Sequence, residues 1–295
     1  MPEATLIASG LLPQEPRALT DRTFEKIRKL IYEKAGIDLR QGKQTLVAAR
    51  LGKKLRESGL KDYDTYLESV LADKTGESMI ALIDALTTNY TSFLREPQHF
   101  QFLRHEILPA IAHRGKIDIW CAAASTGEEP YSLAFTMLDV LGPAAATQVN
   151  ILATDISTRA LATATQGIYP ADRLAGAPRE WLSRYMSPGQ GKFQGFYQAK
   201  PAVRRMIHFR RLNLIEPFTH SGMFPLISCR NVMIYFDKAT QQDLVNRMTN
   251  HLEPSGHLFI GHAESLSGIA HGLRFIAPAI YQRQTGGSNE GIRKQ

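Results

Sequence analysis

Two cysteines, Cys121 and Cys229, each beside a strongly apolar run, are all that the 295 residues contain. That excludes a disulfide scaffold and a cysteine-rich metal site, and both are expected to be free buried thiols. No stretch approaches the roughly 18 consecutive apolar residues that a membrane span needs, and residues 1–16 hold no Lys or Arg for the basic start of a secretory signal. A cytoplasmic chain without membrane insertion is expected. The nine histidines are scattered and form no cluster with Asp or Cys, so most are expected at the surface or in packing. What the chain does have is 43% hydrophobic and 21% charged residues, enough for one large domain or two unequal ones.

The 35 basic residues outnumber the 28 acidic ones by seven, and nearly all of the excess sits in one place. Residues 40–61 hold Arg40, Lys43, Arg50, Lys53, Lys54, Arg56 and Lys61 against Glu57 alone, a net +6, which leaves +1 for the rest of the chain. A partner that is anionic at one spot fits this distribution better than a general affinity for nucleic acid.

Up to residue 88 the chain reads as helices with short polar joints. The first runs from a Thr20 cap through Phe24, Ile27 and Ile31 to Gly36. The second puts Leu46, Val47, Leu51 and Leu55 on one face; Arg50, Lys53, Lys54 and Glu57, spaced i, i+3, i+4 and i+7, share another that points outward. Two more helices follow over 62–72 and 77–86, and no β-type alternation occurs before residue 116. A small helical unit over 20–88, behind a flexible segment 1–19, is the expectation.

A polar connection over 87–97 leads to a helix over 98–113, and there the pattern changes. Short runs rich in Ile, Val and Phe at 116–121, 150–154, 208–212, 224–228 and 257–260 alternate with helical segments at 128–141, 157–166 and 238–252. That order predicts an α/β domain over 89–284 with a mostly parallel sheet and helices on both faces. Two last strands, 273–276 and 280–283, are joined by so short a link that they must be antiparallel neighbours. Residues 190–206 break the alternation and read as two or three short inserted strands, the kind of insertion that often carries recognition. Residues 285–295 read as a disordered tail.

Open α/β sheets bind ligands at the carboxyl ends of their strands, so the loop after the first strand is the place to look. It reads Cys121-Ala-Ala-Ala-Ser-Thr-Gly127-Glu128-Glu129-Pro130-Tyr131-Ser132. Small residues let a ligand approach the backbone, Gly127 permits an unusual turn, and Pro130 suits a first helical turn. Asp155 ends the second strand, where a carboxylate can accept from both ribose hydroxyls of a nucleoside cofactor, a feature common to NAD and S-adenosylmethionine sites. The shortage of glycine separates the two. A dinucleotide site brings a pyrophosphate against glycine-rich backbone, and here one glycine is followed by two glutamates that would repel it. S-adenosylmethionine, with a sulfonium and an ammonium, suits acidic surroundings. One of Glu128 and Glu129 is expected to do no more than stabilise the helix dipole.

Five segments, Thr88-Asn-Tyr-Thr-Ser-Phe-Leu-Arg-Glu96, Ala122-Ala-Ala-Ser-Thr-Gly-Glu-Glu-Pro-Tyr-Ser132, Thr154-Asp-Ile156, Cys229-Arg-Asn-Val-Met-Ile-Tyr-Phe236 and Gly261-His-Ala-Glu-Ser265, resemble in order the signature blocks of the CheR-type chemoreceptor glutamate O-methyltransferases. The resemblance covers residues 20–284; Tyr90, Leu94 and Ala263 depart from the usual pattern. It implies a class I S-adenosylmethionine-dependent methyltransferase fold: a Rossmann-like, mostly parallel seven-stranded sheet, an all-α N-terminal domain that docks the receptor, and a small inserted antiparallel β-subdomain. It implies transfer of the cofactor's methyl group to receptor glutamates, with S-adenosylhomocysteine as product and no metal. Asn89, Thr91 and Arg95 would contact the cofactor's methionine end and the active site, Glu129 would line the cofactor loop, and Asp155 would hold the ribose. Asn213 and Leu214 would flank the adenine, Arg230 and Asn231 would close the pocket, and Tyr235 would sit near the sulfonium, which makes Arg95 and Tyr235 the candidate catalytic residues. The partner would be the glutamate-studded cytoplasmic helical bundle of a chemoreceptor, met by Arg50, Lys53 and Lys54, with a receptor C-terminal tethering peptide as a further candidate for the β-subdomain.

Two other readings compete. Methylation of an exocyclic base nitrogen commonly uses an Asn/Asp-Pro-Pro-Tyr type loop after the fourth strand; here that loop is Cys229-Arg-Asn-Val-Met-Ile-Tyr, so nucleic acid is not the expected substrate. A non-catalytic module that only senses the cofactor is disfavoured by the full set of pocket residues.

Overall fold

A computed structural model of the chain describes residues 18–220 and 222–285. The expectations for a flexible N-terminal segment and a disordered tail fall, but for residues 18, 19 and 285, outside them. The described residues divide into two compact units, one built from 18–34 and 39–87, the other from 35–38 and the rest from 88 to 285.

Among the described residues the helical unit has four helices: α1 (Asp21–Ala35), α2 (Gln44–Ser58), α3 (Tyr63–Ala72) and α4 (Glu77–Leu86). Local chemistry starts them where the sequence says. The Thr20 hydroxyl accepts the Thr23 N–H, and Asp62 accepts the Thr65 N–H at the head of α3. Phe24, Ile27 and Ile31 of α1 are buried, as are Val47, Leu51 and Leu55 of α2. Leu46 is not, at 40% exposure: the i, i+4 ladder through 47, 51 and 55 already fills the stripe, and one residue earlier is about 100° away.

The sheet unit opens with α5 (Pro97–Phe102), a π-helical turn (Leu103–Ile107) and α6 (Leu108–Ile111). One helix was expected over 98–113; Pro109, which lacks an N–H, interrupts the regular ladder one turn upstream. There follow β1 (Ile117–Cys121), α7 (Glu128–Leu141), α8 (Ala145–Gln148), β2 (Val149–Asp155), α9 (Thr158–Gln166), β3 (Ile168–Pro170), α10 (Arg179–Tyr185), β4 (Met186–Pro188), β5 (Phe196–Ala199), α11 (Pro201–Arg204), β6 (Ile207–Arg211), β7 (Phe224–Ser228), α12 (Lys238–His251), β8 (Leu252–Phe259), β9 (Leu273–Ala277) and β10 (Ile280–Arg283). The main sheet has seven strands in the order β6-β2-β1-β7-β8-β10-β9. The first five run parallel, and β10 is antiparallel to both its neighbours.

Both faces are covered, which is why the strands read as near-continuous apolar runs. Ile117, Ile119 and Cys121 pack with Tyr131 and Phe135 of α7 on one face; Trp120 packs with Leu244, Val245 and Met248 of α12 on the other. The chain leaves β1 toward β2 and β6, then returns with β7 on β1's other side. This order reversal puts the switch point between β1 and β7, with the loops at 122–127 and 229–235 flanking it.

The inserted sheet is antiparallel, in the order β3-β5-β4, and differs from the expected stretch 190–206. Only β5 lies there. The other two strands come from further upstream, and they have three residues each, both ending in proline, too short to show alternation. Residues 203–207 are not a strand pair: Pro201 starts the helical turn α11, and Ile207 begins β6 of the main sheet.

Candidate active site

At the carboxyl end of β1 the chain turns sharply, with Ser125 at φ 48° and Gly127 at φ 101°. A side chain at Gly127 would strike the Tyr169 hydroxyl and Ala164, so only glycine lets α7 start against α9. Asp155 at the end of β2 stabilises this turn: its carboxylate accepts the Ser125 N–H at 2.7 Å and the Ser157 N–H at 2.9 Å. Ser125 Oγ in turn donates to the Asn89 carbonyl, and the Asn89 amide reaches Ser157 Oγ at 3.5 Å. Asn89, Ser125, Asp155 and Ser157 thus form one hydrogen-bonded group, the first three drawn from the first three sequence blocks and Ser157 following the third.

A second group centres on Arg230, 4% exposed, directly after β7. Its guanidinium donates to Glu129 at 2.8 Å, to Glu96 at 3.1 Å and to the Arg95 carbonyl. Glu129 also accepts from Ser228 Oγ at 2.6 Å and lies 3.6 Å from Cys121 Sγ. Glu96 accepts from the Asn231 side chain and the His262 N–H, both at 3.2 Å. Burial pushes the Glu96 carboxyl up, but Arg230 and these donors outweigh it and hold it below its usual value. Burial acts against the charge on Arg230 too, and the two carboxylates overcome it. Burial, with Glu129 next to it, raises the Cys121 thiol well above its ordinary value, so this cysteine is inert packing.

The remaining residues of the expected site take these places. Thr91 is buried, and its carbonyl accepts from Arg173. The Arg95 guanidinium donates to the Tyr90 carbonyl at 3.0 Å and lies 5.7 Å from the centre of that ring. Asn213, after β6, is buried and bonded to Glu216, and Leu214 packs beside Phe236 and Leu244 in the core under α12. Tyr235 closes the helical turn Met233–Tyr235, and its carbonyl accepts the Asp38 N–H. Both first-turn acids are engaged by side chains, Glu128 by Thr126 and Arg173, so neither acts on the helix dipole alone.

Of the three bases proposed for docking, Arg50 is the one engaged within its own unit. It shares a helix face with Lys53 and Lys54, but its guanidinium donates to the carbonyls of Leu86 at 2.6 Å and Thr87 at 3.3 Å. α4 has no basic residue in its last turn, and Arg50 meets its terminal carbonyls instead. Lys53 and Lys54 flank Glu57 at 3.9 and 3.0 Å, with Lys53 largely in solvent.

Sequence reasoning missed Glu96, Ser228, His99 and Glu264. Glu264 is a largely buried carboxylate that accepts the N–H groups of Gly261, Asn231 and Ile234; burial raises its carboxyl, and those donors oppose the rise. His99, 1% exposed, stacks on Phe259 and is held neutral, with a value near 4, by burial and by the nearby Arg230. The signal for Glu96 and Glu264 was their position inside two of the five blocks.

Residues 89–281 match the family described as CheR methyltransferase, SAM binding domain, and residues 22–87 match CheR methyltransferase, all-alpha domain. The chain belongs to the CheR methyltransferase family. It is 40% identical over 265 residues to the chemotaxis protein methyltransferase of Salmonella typhimurium, covering 90% of this chain and 91% of that one. It is 39% identical over 268 residues to the Escherichia coli protein of the same description, covering 90% and 92%, and 37% identical over 274 residues to that of Borreliella burgdorferi, covering 90% and 95%.

The side chains of this CheR-family site suit S-adenosylmethionine. Carboxylates and amides gather at the strand ends where a dinucleotide site would have a glycine-rich cradle. Arg230 Nε is buried without a hydrogen-bond partner among the described residues, a donor still to be met.

Proposed function

We propose that this protein transfers a methyl group from S-adenosylmethionine to glutamate side-chain carboxylates of chemoreceptors, forming methyl esters that tune chemosensory signalling. The observation that carries the reading is the gathering of Asn89, Arg95, Glu129, Asp155, Arg230 and Asn231 into two hydrogen-bonded groups at the carboxyl ends of neighbouring strands, in a chain that belongs to the CheR family.

The bound cofactor supplies an electrophilic methyl on a positively charged sulfur. The chain's own residues then have little chemistry to do. A glutamate with an ordinary pKa near 4.3 is already an anion at neutral pH, so no general base has to create the nucleophile. Asp155 would hold the ribose, Asn213 and Leu214 the adenine, and Asn89, Thr91 and Glu129 the methionine end, with Arg230 and Asn231 closing the pocket. Arg95 and Tyr235 would orient the incoming carboxylate and exclude water, so that catalysis is positioning and desolvation. With the reading go a cytoplasmic location and a receptor helical bundle as partner, met by the bases of α2. A receptor C-terminal peptide would join the β3-β5-β4 sheet by strand addition.

Incubation with methyl-labelled S-adenosylmethionine and receptor-rich membranes, followed by alkali, tests this. Methyl esters release volatile labelled methanol; label that stays on the protein or on nucleic acid refutes the carboxylate reading. Repeating the assay with a receptor lacking its C-terminal peptide tests the tether: an unchanged rate removes it.

A further inference from the structure

Arg95 is held in a turn that the chain would not adopt unaided. Leu94 and Glu96, on either side of it, have φ of 52° and 58°, the left-handed region that non-glycine residues enter at a cost. Something must hold that turn: the Leu94 N–H donates to Ser132 Oγ at 3.0 Å, and three further donors converge on one side chain. Both oxygens of Glu96 are taken: one by the Asn231 amide and the His262 N–H, the other by Arg230, which also grips the Arg95 carbonyl.

The far side of this clamp is itself fixed. Asn231, at φ 57°, has its N–H on Glu264 at 3.0 Å, and Glu264 also accepts the Gly261 N–H at 2.5 Å. A Cβ on Gly261 would collide with the Asn231 side chain, so that position has to be glycine. The left-handed turn at 94–96 is therefore fastened to the loops after β7 and β8, and Glu96 is the fastening.

A different use of the same atoms is a cation site, since Glu96, His99 and His262 bring ligand atoms within 4.8 Å of one another. The Arg230 guanidinium 3.1 Å from Glu96 repels a metal ion, and three donors already fill the carboxylate. The geometry points to a fastening instead: we propose that Glu96 is a positioning residue, which sets the backbone of Arg95 and through it the placing of that guanidinium in the methyl-transfer site.

The proposal rests on the reading of Arg95 as a contact of cofactor and substrate, and a double-mutant cycle separates the two. Turnover on receptor membranes and calorimetric affinity for S-adenosylhomocysteine are measured for wild type, E96Q, R95A and the double variant. Glu96→Gln keeps the shape but removes the charge facing Arg230 and sets an amide against donors. Turnover should fall at least tenfold in E96Q and further in R95A, with the double variant no worse than R95A in either turnover or affinity. If E96Q multiplies the loss of R95A by its own full factor, or if E96Q turns over like wild type, Glu96 does not act through Arg95. If R95A itself keeps wild-type turnover and affinity, the role given to Arg95 is what fails. Should E96Q not fold, Glu96→Asp, which keeps the charge but draws it back by one carbon, carries the same cycle.

Discussion

Replacing Arg230 by methionine removes the one cation from between two largely buried carboxylates. Glu129 and Glu96 have side chains 8% and 14% exposed, and in wild type the guanidinium lies 2.8 and 3.1 Å from them. Breaking a buried ion pair by removing one partner costs about 3–5 kcal/mol, because the stranded charge stays buried. For a folding unit of this size that is a fall of about 6–20 °C in melting temperature. The loss should depend on pH. In wild type, Glu96 is held below its usual value, so its contribution is present above the unfolded pKa and fades as pH falls through the folded one. In R230M, burial acts on Glu96 with only Asn231 and the His262 N–H against it. Its carboxyl then titrates higher, and the penalty is relieved as pH falls. The first effect sets in only below the ordinary value of 4.5, so between pH 5 and 8 the second alone narrows the gap. Trp120 and Trp181 are the only tryptophans and both lie in the sheet unit, so their fluorescence follows this unit during thermal and urea unfolding from pH 5 to 8. A variant within 2 °C of wild type at pH 7, or a deficit that stays constant from pH 5 to 8, refutes the argument.

Two further outcomes follow from the geometry. Asp155→Asn loses the charge proposed to hold the ribose; it keeps an acceptor for one of the Ser125 and Ser157 N–H groups and sets its NH2 against the other. Calorimetry should show S-adenosylhomocysteine binding weakened by about 1.5–3 kcal/mol, with a smaller fall in melting temperature than Asp155→Ala, which loses both acceptors; equal affinity in D155N and wild type removes the ribose assignment. Arg50→Ala should destabilise the helical unit by about 1–2 kcal/mol in circular-dichroism melts, through the α4 carbonyls it leaves unmet. Lys53→Glu with Lys54→Glu sets two like charges beside Glu57, which should lower stability slightly, and should raise the receptor KM and flatten its salt dependence; a KM raised by Arg50→Ala and left alone by the lysine pair would put Arg50 in the docking face.

Why some of this was legible and some not has physical causes. Ile117 to Cys121 and Phe224 to Ser228 are nearly continuous apolar runs because each strand is covered on both faces, and that pattern survives in one dimension. Strands β3 and β4 leave no such trace, since three residues ending in proline have no period to display. The contacts of Arg50 were hidden for a related reason. Helical spacing shows which residues share a face of α2, but not that the end of α4 lies against that face with its carbonyls unmet. Glu96 was hidden by distance along the chain: Arg230, which holds it, comes 134 residues later.

The charge argument from the cofactor loop gains from the structure a basis that spacing alone could not provide. Glu129 was singled out because a sulfonium and an ammonium suit acidic surroundings, yet its carboxylate is bound to Ser228 and Arg230 and is not a bare anion facing a ligand. Glu96 lies on the other side of the same guanidinium. One buried cation therefore stands against two carboxylates, and the trio keeps a unit of negative charge that burial shields poorly from its surroundings. A pyrophosphate brought here would meet that excess and be repelled, whereas a ligand carrying positive charge is attracted by it. On the proposed placing of the cofactor, a preference for S-adenosylmethionine over a dinucleotide would belong to the Glu96–Arg230–Glu129 group as a whole rather than to either glutamate of the loop, with Arg230 joining the two carboxylates without neutralising them.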